Sequence, residues 1–186
     1  MRIIAGKARG TKLYTLEGKN TRPTLDRVKE SLFNIIQPNI QNSVFLDLFS
    51  GSGSIGLEAV SRGAKKAILC DNSKEAMNII KKNIQKTHFE SQTDTYQMQY
   101  DDVLNNKINE KLDIIYIDPP YATNFAYNSV KIILEKELIN QDSIIIIESD
   151  DEDRIINQIE DLDIEIRSKR KYGRAHLIFL SKEIKA

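Results

Sequence analysis

Two spacings of apolar residues alternate along this chain. Leu25, Val28, Leu32, Ile35 and Ile36 recur every three to four positions, which puts them on one helical face. The spacing predicts a helix capped by Thr24, with Asp26 in its first turn and Pro38 as its stop. From residue 43 a strand–turn–helix order repeats. VFLDLF is strand-like, a helix from about Ser54 to Arg62 stops at Gly63, and KAILC is a second strand. Ser73 caps the next helix, which carries Met77, Ile80 and Ile84 on one face. TYQMQ is a weaker third strand, ending at Tyr100-Asp101-Asp102-Val103. DIIYI and SIIIIE are continuous apolar runs, as in strands covered by helices on both faces. Val130, Ile133, Leu134 and Leu138 mark a helix between them, and another over about 151–160 precedes DIEIRS and AHLIFL. The short loop at Tyr172-Gly173 makes those last two an antiparallel pair. The predicted class is α/β, a doubly wound, Rossmann-like sheet ending in an antiparallel hairpin.

The first 23 residues differ from this rhythm. RIIA, a turn from Gly6 to Gly10, and TKLYTL predict a hairpin-like arm over 1–23, leaving 24–186 as one compact domain. A chain of 186 residues suits a single core and an attached arm. No apolar run approaches the ~20 residues of a membrane helix, and MRIIAGKARG lacks a signal-peptide core, so a cytoplasmic protein is expected. Cys70, the one cysteine, sits in the apolar AILC and reads as a buried thiol. With only His88 and His176 and no cysteine partner, no metal site is expected.

Formal net charge is zero, yet the charge is unevenly spread. Residues 1–31 hold eight Lys/Arg against three acids, a net +5, so the remainder carries −5. Arg167, Lys169, Arg170, Lys171 and Arg174 form a second basic cluster. This asymmetry fits a phosphate-binding arm on a neutral body, with a solvated terminal segment as the plain alternative.

Asp47-Leu-Phe-Ser-Gly-Ser-Gly-Ser-Ile-Gly56 follows the first strand and opens a helix. Gly51, Gly53 and Gly56 match G-x-G-x-x-G, and Asp71 ends the next strand twenty residues after Gly51. The glycines let backbone approach a ligand, while Asp71, with Asn72 beside it, suits ribose hydroxyls. NAD and S-adenosylmethionine sites share this pattern, and a structural turn would also satisfy it. Asp47 separates the two ligands: a pyrophosphate would meet its carboxylate, whereas S-adenosylmethionine offers an ammonium and a sulfonium. A carboxylate that merely caps loop amides is compatible with both. Either Asp101 or Asp102 could accept from adenine, with Asp102 preferred; a surface turn is the other reading.

Asp118-Pro119-Pro120-Tyr121 follows the buried DIIYI strand at the ligand-binding edge. Two prolines stiffen the loop and remove two donors, so it presents the Asp118 carboxylate and the Pro119 carbonyl. Tyr121 adds a stacking face. An aromatic amine is a weak nucleophile because its lone pair is delocalised. Two acceptors on its hydrogens draw it toward tetrahedral geometry and stabilise the charge that develops on methyl transfer. A rigid turn alone would need neither the acid nor the ring.

DLFSGSG, Asp71 and DPPY together resemble class I methyltransferases of exocyclic amines in nucleic acids. RIIAGKARGTKL, then RPT-x-DRV-x-E-x-LFN from Arg22 to Asn34, and SGSIGLEAVSRGA resemble more narrowly the RsmD family of bacterial 16S rRNA guanine-N2 methyltransferases. The resemblance runs from Arg2 to about Leu180. It implies a seven-stranded sheet with an antiparallel last strand and S-adenosylmethionine as donor. It also implies one small-subunit guanine, the 966-equivalent, as acceptor. Free rRNA and an assembled or partly assembled small subunit are both compatible substrates, and a monomer is expected. Asp47, Ser50, Gly51, Gly53, Asp71, Asn72, Asp102 and Asp118 would meet the cofactor. Asp118, Pro119, Pro120 and Tyr121 would form the catalytic loop. Arg2, Lys7, Arg9, Lys12, Arg22, Thr24, Arg27, Arg170 and Lys171 would contact RNA, with the target base turned out of its stack. A DNA adenine-N6 methyltransferase shares DPPY, but the chain leaves little room for a DNA-reading domain. An NAD-dependent oxidoreductase or nucleotide-binding regulatory module explains the glycines but neither Asp47 nor DPPY.

Overall fold

A computed structural model describes residues 1–17 and 23–184. Five parallel strands form the sheet: β1 (Val44–Asp47), β2 (Lys66–Cys70), β3 (Thr93–Tyr96), β4 (Leu112–Ile117) and β5 (Ile139–Ser149). The antiparallel β6 (Ile164–Tyr172) and β7 (Ala175–Lys182) complete it in the order β3-β2-β1-β4-β5-β7-β6. The strand order reverses between β1 and β4, so the crevice beyond their carboxyl ends is the natural ligand position. The expected seven strands and antiparallel end are present.

Helices α1 (Pro23–Ile40), α2 (Ser54–Ser61) and α3 (Lys74–Thr87) cover one face. Helices α4 (Tyr100–Asn106), α5 (Phe125–Glu135) and α6 (Glu152–Ile159) cover the other. Alternation along each strand serves both layers. Phe45, Ile114, Tyr116 and Ile146 pack with Leu32, Phe33 and Ile36 of α1, while Leu46, Ile115 and Ile147 meet Val130 and Ile133 of α5.

Several element boundaries differ from the sequence expectation. Helix α1 starts at Pro23, ahead of the expected Thr24 cap, since proline suits a first helical position. It also runs through Pro38, because Ile36 and Ile40 are both buried and that packing outweighs the one bond proline cannot donate. Strand β3 ends at Tyr96, and Tyr100–Asn106 forms α4 where a strand end and loop were expected. Tyr100, Val103 and Leu104 are buried three to four residues apart, and this helical burial wins over the local strand propensity. Leu138 lies beyond α5, whose end turns at Glu137 (φ 52°), yet it still packs in the core.

The hairpin expected over 1–23 is present in its described part. Arg2 bridges Lys12 antiparallel, with backbone bonds from Ile3 N to Thr11 O (2.9 Å) and Gly10 N to Ile3 O (2.8 Å). It is packed hard against the body. Ile3 and Leu13 join Leu57, Val60, Met77 and Ile80 in one buried cluster. The turn lies so close to α2 that a Cβ at Gly6 would stand 1.8 Å from the Ser61 carbonyl oxygen. Gly6 also has φ 85°, a conformation glycine adopts at little cost. Among the described residues, no helix is long and apolar enough to cross a membrane.

Candidate active site

The glycine loop and the DPPY loop leave neighbouring strands at the same edge. Asp47 pairs with Tyr116 across β1 and β4, and Leu48 N donates to Tyr116 O at 3.1 Å. Gly51 follows Asp47 by four residues and Asp118 follows Tyr116 by two, so the two loops flank one crevice. Rings fasten them from behind. Phe49 of the glycine loop stacks with Phe125 at the start of α5 (6.2 Å), and Tyr100 lies against both at 5.4 and 4.7 Å.

Each glycine of the loop has its own constraint. Gly51 (φ 57°) and Gly53 (φ 80°) sit in the left-handed region. Space is open where a Gly51 Cβ would point, whereas one on Gly56 would lie 2.1 Å from Leu69 Cδ2. Gly51 thus leaves room for a ligand, and Gly56 lets α2 approach β2. The Ser50 hydroxyl donates to Asp47 O (2.7 Å) and accepts from Cys70 N (3.0 Å), so it holds the loop to β2.

The Asp71 carboxylate accepts from Gly51 N and from Ser73 N, both at 2.9 Å. It shapes the glycine loop and the entry of α3 together. Asn72 beside it is exposed. Asp47 is buried, and its Oδ2 accepts from Gly56 N at 3.1 Å, but Oδ1 is buried with no partner among the described residues. Burial pushes its carboxyl up to about 7; the Gly56 amide opposes the shift and Asp71 adds to it. An unmatched buried oxygen costs free energy unless a donor arrives. A ligand ammonium is such a donor, so the residues here fit the amino-acid end of S-adenosylmethionine.

Asp118, Pro120 and Tyr121 are exposed, Tyr121 with three-quarters of its surface in solvent (75%). Ala122 takes φ 56°, a strained value for a residue with a Cβ. Helix α6 braces that turn: Arg154 Nη1 donates to Thr123 O (3.2 Å), Thr123 Oγ1 donates to Pro120 O (2.9 Å), and Gln158 Nε2 donates to Asn124 Oδ1 (2.9 Å). Asp102, placed by sequence reasoning in a loop beneath the adenine, is instead exposed in the first turn of α4. Three further residues at this edge escaped sequence reasoning. Asn83 holds Tyr14 N through Oδ1 (2.8 Å) and Ser52 O through Nδ2 (2.8 Å), joining the hairpin to the glycine loop. Tyr116 and Glu148 form a hydrogen-bonded pair next to Asp118. Their positions inside apolar strands gave no sequence signal.

The basic residues fall into separate groups. Arg2, Lys7, Arg9, Lys12 and Arg27 are exposed. Lys7 donates to Gln92 Oε1 (3.0 Å), and its backbone meets Ser61 at the far end of α2, about 12 Å along the helix from the glycine loop. Arg27 lies near the start of α1. Arg170 and Lys171 alternate across β6: Arg170 pairs with Leu177, which packs on the α1 side, and Lys171 pairs with His176, beside Glu152 of α6. Lys29, counted above among the arm's charges, is buried in an ion pair with Glu58 (3.0 Å) and presents no charge to a partner. Arg22 and the side chain of Thr24 lie outside the described residues.

Comparison with known proteins resolves the family. The model of Conserved hypothetical protein 95 matches residues 1–181. Ribosomal RNA small subunit methyltransferase D of Haemophilus influenzae is 38% identical over 158 residues, 84% of this chain and 82% of that protein. The chain belongs to this family. Its Escherichia coli K12 member of the same name is 31% identical over 157 residues, covering 81% and 75% of the two chains. A solved Haemophilus influenzae structure bearing a provisional methylase name superposes with a TM-score of 0.81 at 31% identity, covering 99% of each chain. The RsmD resemblance read from the N-terminal signature is therefore shown.

Proposed function

We propose that this chain transfers a methyl group from S-adenosylmethionine to the exocyclic N2 amine of one guanine in small-subunit rRNA, the 966-equivalent. The carrying observation is the adjacency of the glycine loop and DPPY across the β1–β4 register. The family's rRNA methyltransferases supply the substrate class. S-adenosylmethionine, when bound, supplies a methyl group on a positively charged sulfur that departs as a neutral thioether. Asp47 Oδ1 receives its ammonium, and the Asp71 side, with the Gly51 amide fixed, receives the ribose. Pyrophosphate beside the Asp47 carboxylate is electrostatically unfavourable, which weighs against NAD.

The chain's own groups then handle the base. Asp118 and the Pro119 carbonyl accept the two N2 hydrogens and turn the nitrogen lone pair toward the methyl carbon. As the N–C bond forms, the C–S pair stays on sulfur and Asp118 takes the proton released from N2. Tyr121, exposed on the loop, stacks on the flipped guanine. Arg2, Lys12 and Arg27 meet backbone phosphates near this edge, joined by Arg170 and Lys171.

The test uses labelled S-adenosylmethionine and small-subunit rRNA, free and within particles, from a strain lacking the activity. One N2-methylguanine is expected on nucleotide mapping. Asp118→Ala should lower kcat by about 100- to 1,000-fold with cofactor affinity within about twofold of wild type by calorimetry. Loss of cofactor binding to the same extent would make Asp118 a structural residue and remove the proposed mechanism.

A further inference from the structure

Glu148 borders the site on the side away from the glycine loop. It is next to last in β5, and the register pairing Ile117 with Ile147 sets it level with Asp118, one strand spacing (about 4.8 Å) away. Its antiparallel partner Leu177 packs in the same cluster as Tyr116, which puts the Glu148 side chain on the α1 face. There the Tyr116 hydroxyl donates to Oε2. The phenol is itself buried and lies within the electrostatic reach of Asp118 and Asp47. Glu148 is only partly buried, and among the described residues its Oε1 has no donor. One oxygen is clamped and the other is left as an acceptor beside the loop that receives an amine.

Two bases with exocyclic amines differ at the ring atom next to that amine. Guanine carries N1–H beside its N2 amine, two donors in a row; adenine carries a bare N1 beside its N6 amine. We propose that Glu148 accepts N1–H of the target guanine while Asp118 and the Pro119 carbonyl accept the N2 hydrogens, so that Glu148 selects guanine against adenine. The assignment rests on the guanine-N2 reading above. A carboxylate set against the bare N1 of adenine would place two acceptors together and leave both unpaired. Acceptance at N1–H also helps the transfer. The carboxylate, held at the neighbouring ring position, stabilises through space the positive charge that builds on N2 as its lone pair is committed to the new bond. Glu148 keeps its carboxylate throughout and N1 keeps its proton. Tyr116 is then a positioning residue, fixing the carboxylate through Oε2.

The experiment compares full-length protein on two rRNA fragments, one with guanine and one with 2-aminopurine at the target position. 2-Aminopurine retains the N2 amine and lacks N1–H. Wild type should favour guanine by roughly 100-fold. Glu148→Gln, which can still accept from Tyr116 but can turn an NH2 toward the base, should lose roughly 100-fold on guanine and little on 2-aminopurine, erasing the preference. Tyr116→Phe should slow both substrates and retain it. If Glu148→Gln slows both RNAs equally and keeps the wild-type ratio, Glu148 is a structural partner of Tyr116 and the proposal falls. Should that variant not fold, equal wild-type rates on the two RNAs would overturn the proposal, and the expected preference would uphold it. A wild-type protein that methylates some other nucleotide, and neither fragment, refutes the guanine reading itself, a different outcome from an unchanged ratio.

Discussion

Two buried carboxylates eleven residues apart, Glu58 in α2 and Asp47 at the end of β1, receive opposite treatment. Glu58 in α2 is fully enclosed and takes four donors: Ile4 N (2.9 Å), Ala5 N (3.0 Å), Lys29 Nζ (3.0 Å) and Arg62 Nε (2.8 Å). Asp47 at the tip of β1 is equally buried and, among the described residues, takes one, from Gly56, with Oδ1 left unmatched. Desolvation pulls the Lys29 ammonium down, and Glu58 opposes that pull, so the closed region is an ion pair that the fold itself completes. At Asp47 the fold leaves the completion to something that arrives. The comparison separates a joint that the fold completes from a carboxylate that it leaves half-matched, the position that the proposed function gives to the cofactor's ammonium, although both are buried.

The largest effect should come from opening the closed joint. Glu58→Ala leaves Lys29 buried without its counter-charge and strips the acceptor from two hairpin amides. A loss of about 3–5 kcal/mol in urea unfolding is expected, and an effect under about 1 kcal/mol would mean that water enters and replaces the carboxylate. Next is Asp71, whose two oxygens hold Gly51 N and Ser73 N. Asp71→Ala should weaken S-adenosylmethionine binding by about 10- to 100-fold, corresponding to charged hydrogen bonds of roughly 1.5–3 kcal/mol; unchanged calorimetric affinity would reject the ribose assignment.

The subtlest test is of pH at Asp47. Its folded carboxyl, raised to about 7 from the ordinary 3.8, binds more protons than the unfolded chain between those values. Stability contributed by this group therefore falls as pH rises from about 4 to 7, and Asp47→Asn should remove that slope. Cofactor affinity should move the other way, strengthening as pH rises through about 7 and the carboxylate ionises to meet an ammonium. A pH-independent affinity in wild type between about 6 and 8, roughly one pH unit either side of that value, would show that the ammonium binds elsewhere.

Much of the fold was legible because strand and helix spacings carry it: Met77, Ile80 and Ile84 face inward from α3, and Ser73 caps that helix by accepting from Ala76 N. The loops of the site were legible for a related reason. Glycine and proline announce backbone geometry, so Gly51, Gly53 and DPPY stand out of the sequence. What stayed hidden depended on distant partners. Tyr116 and Glu148 sit in β4 and β5 as two more positions in apolar runs, and only the parallel register brings them together. Lys29 looked like one more arm charge because Glu58 lies 29 residues away in sequence. Helix α4 gives little signal in the sequence because its seven residues are too few to show a period clearly.

The docking of Gly6 against Ser61, and of Tyr14 against Asn83, bears on the order in which a nascent chain can mature. The amino-terminal residues are synthesised first, yet their partners lie 53 to 69 positions later. During translation that segment must wait, unsettled and positively charged, until α2 and α3 have left the exit tunnel.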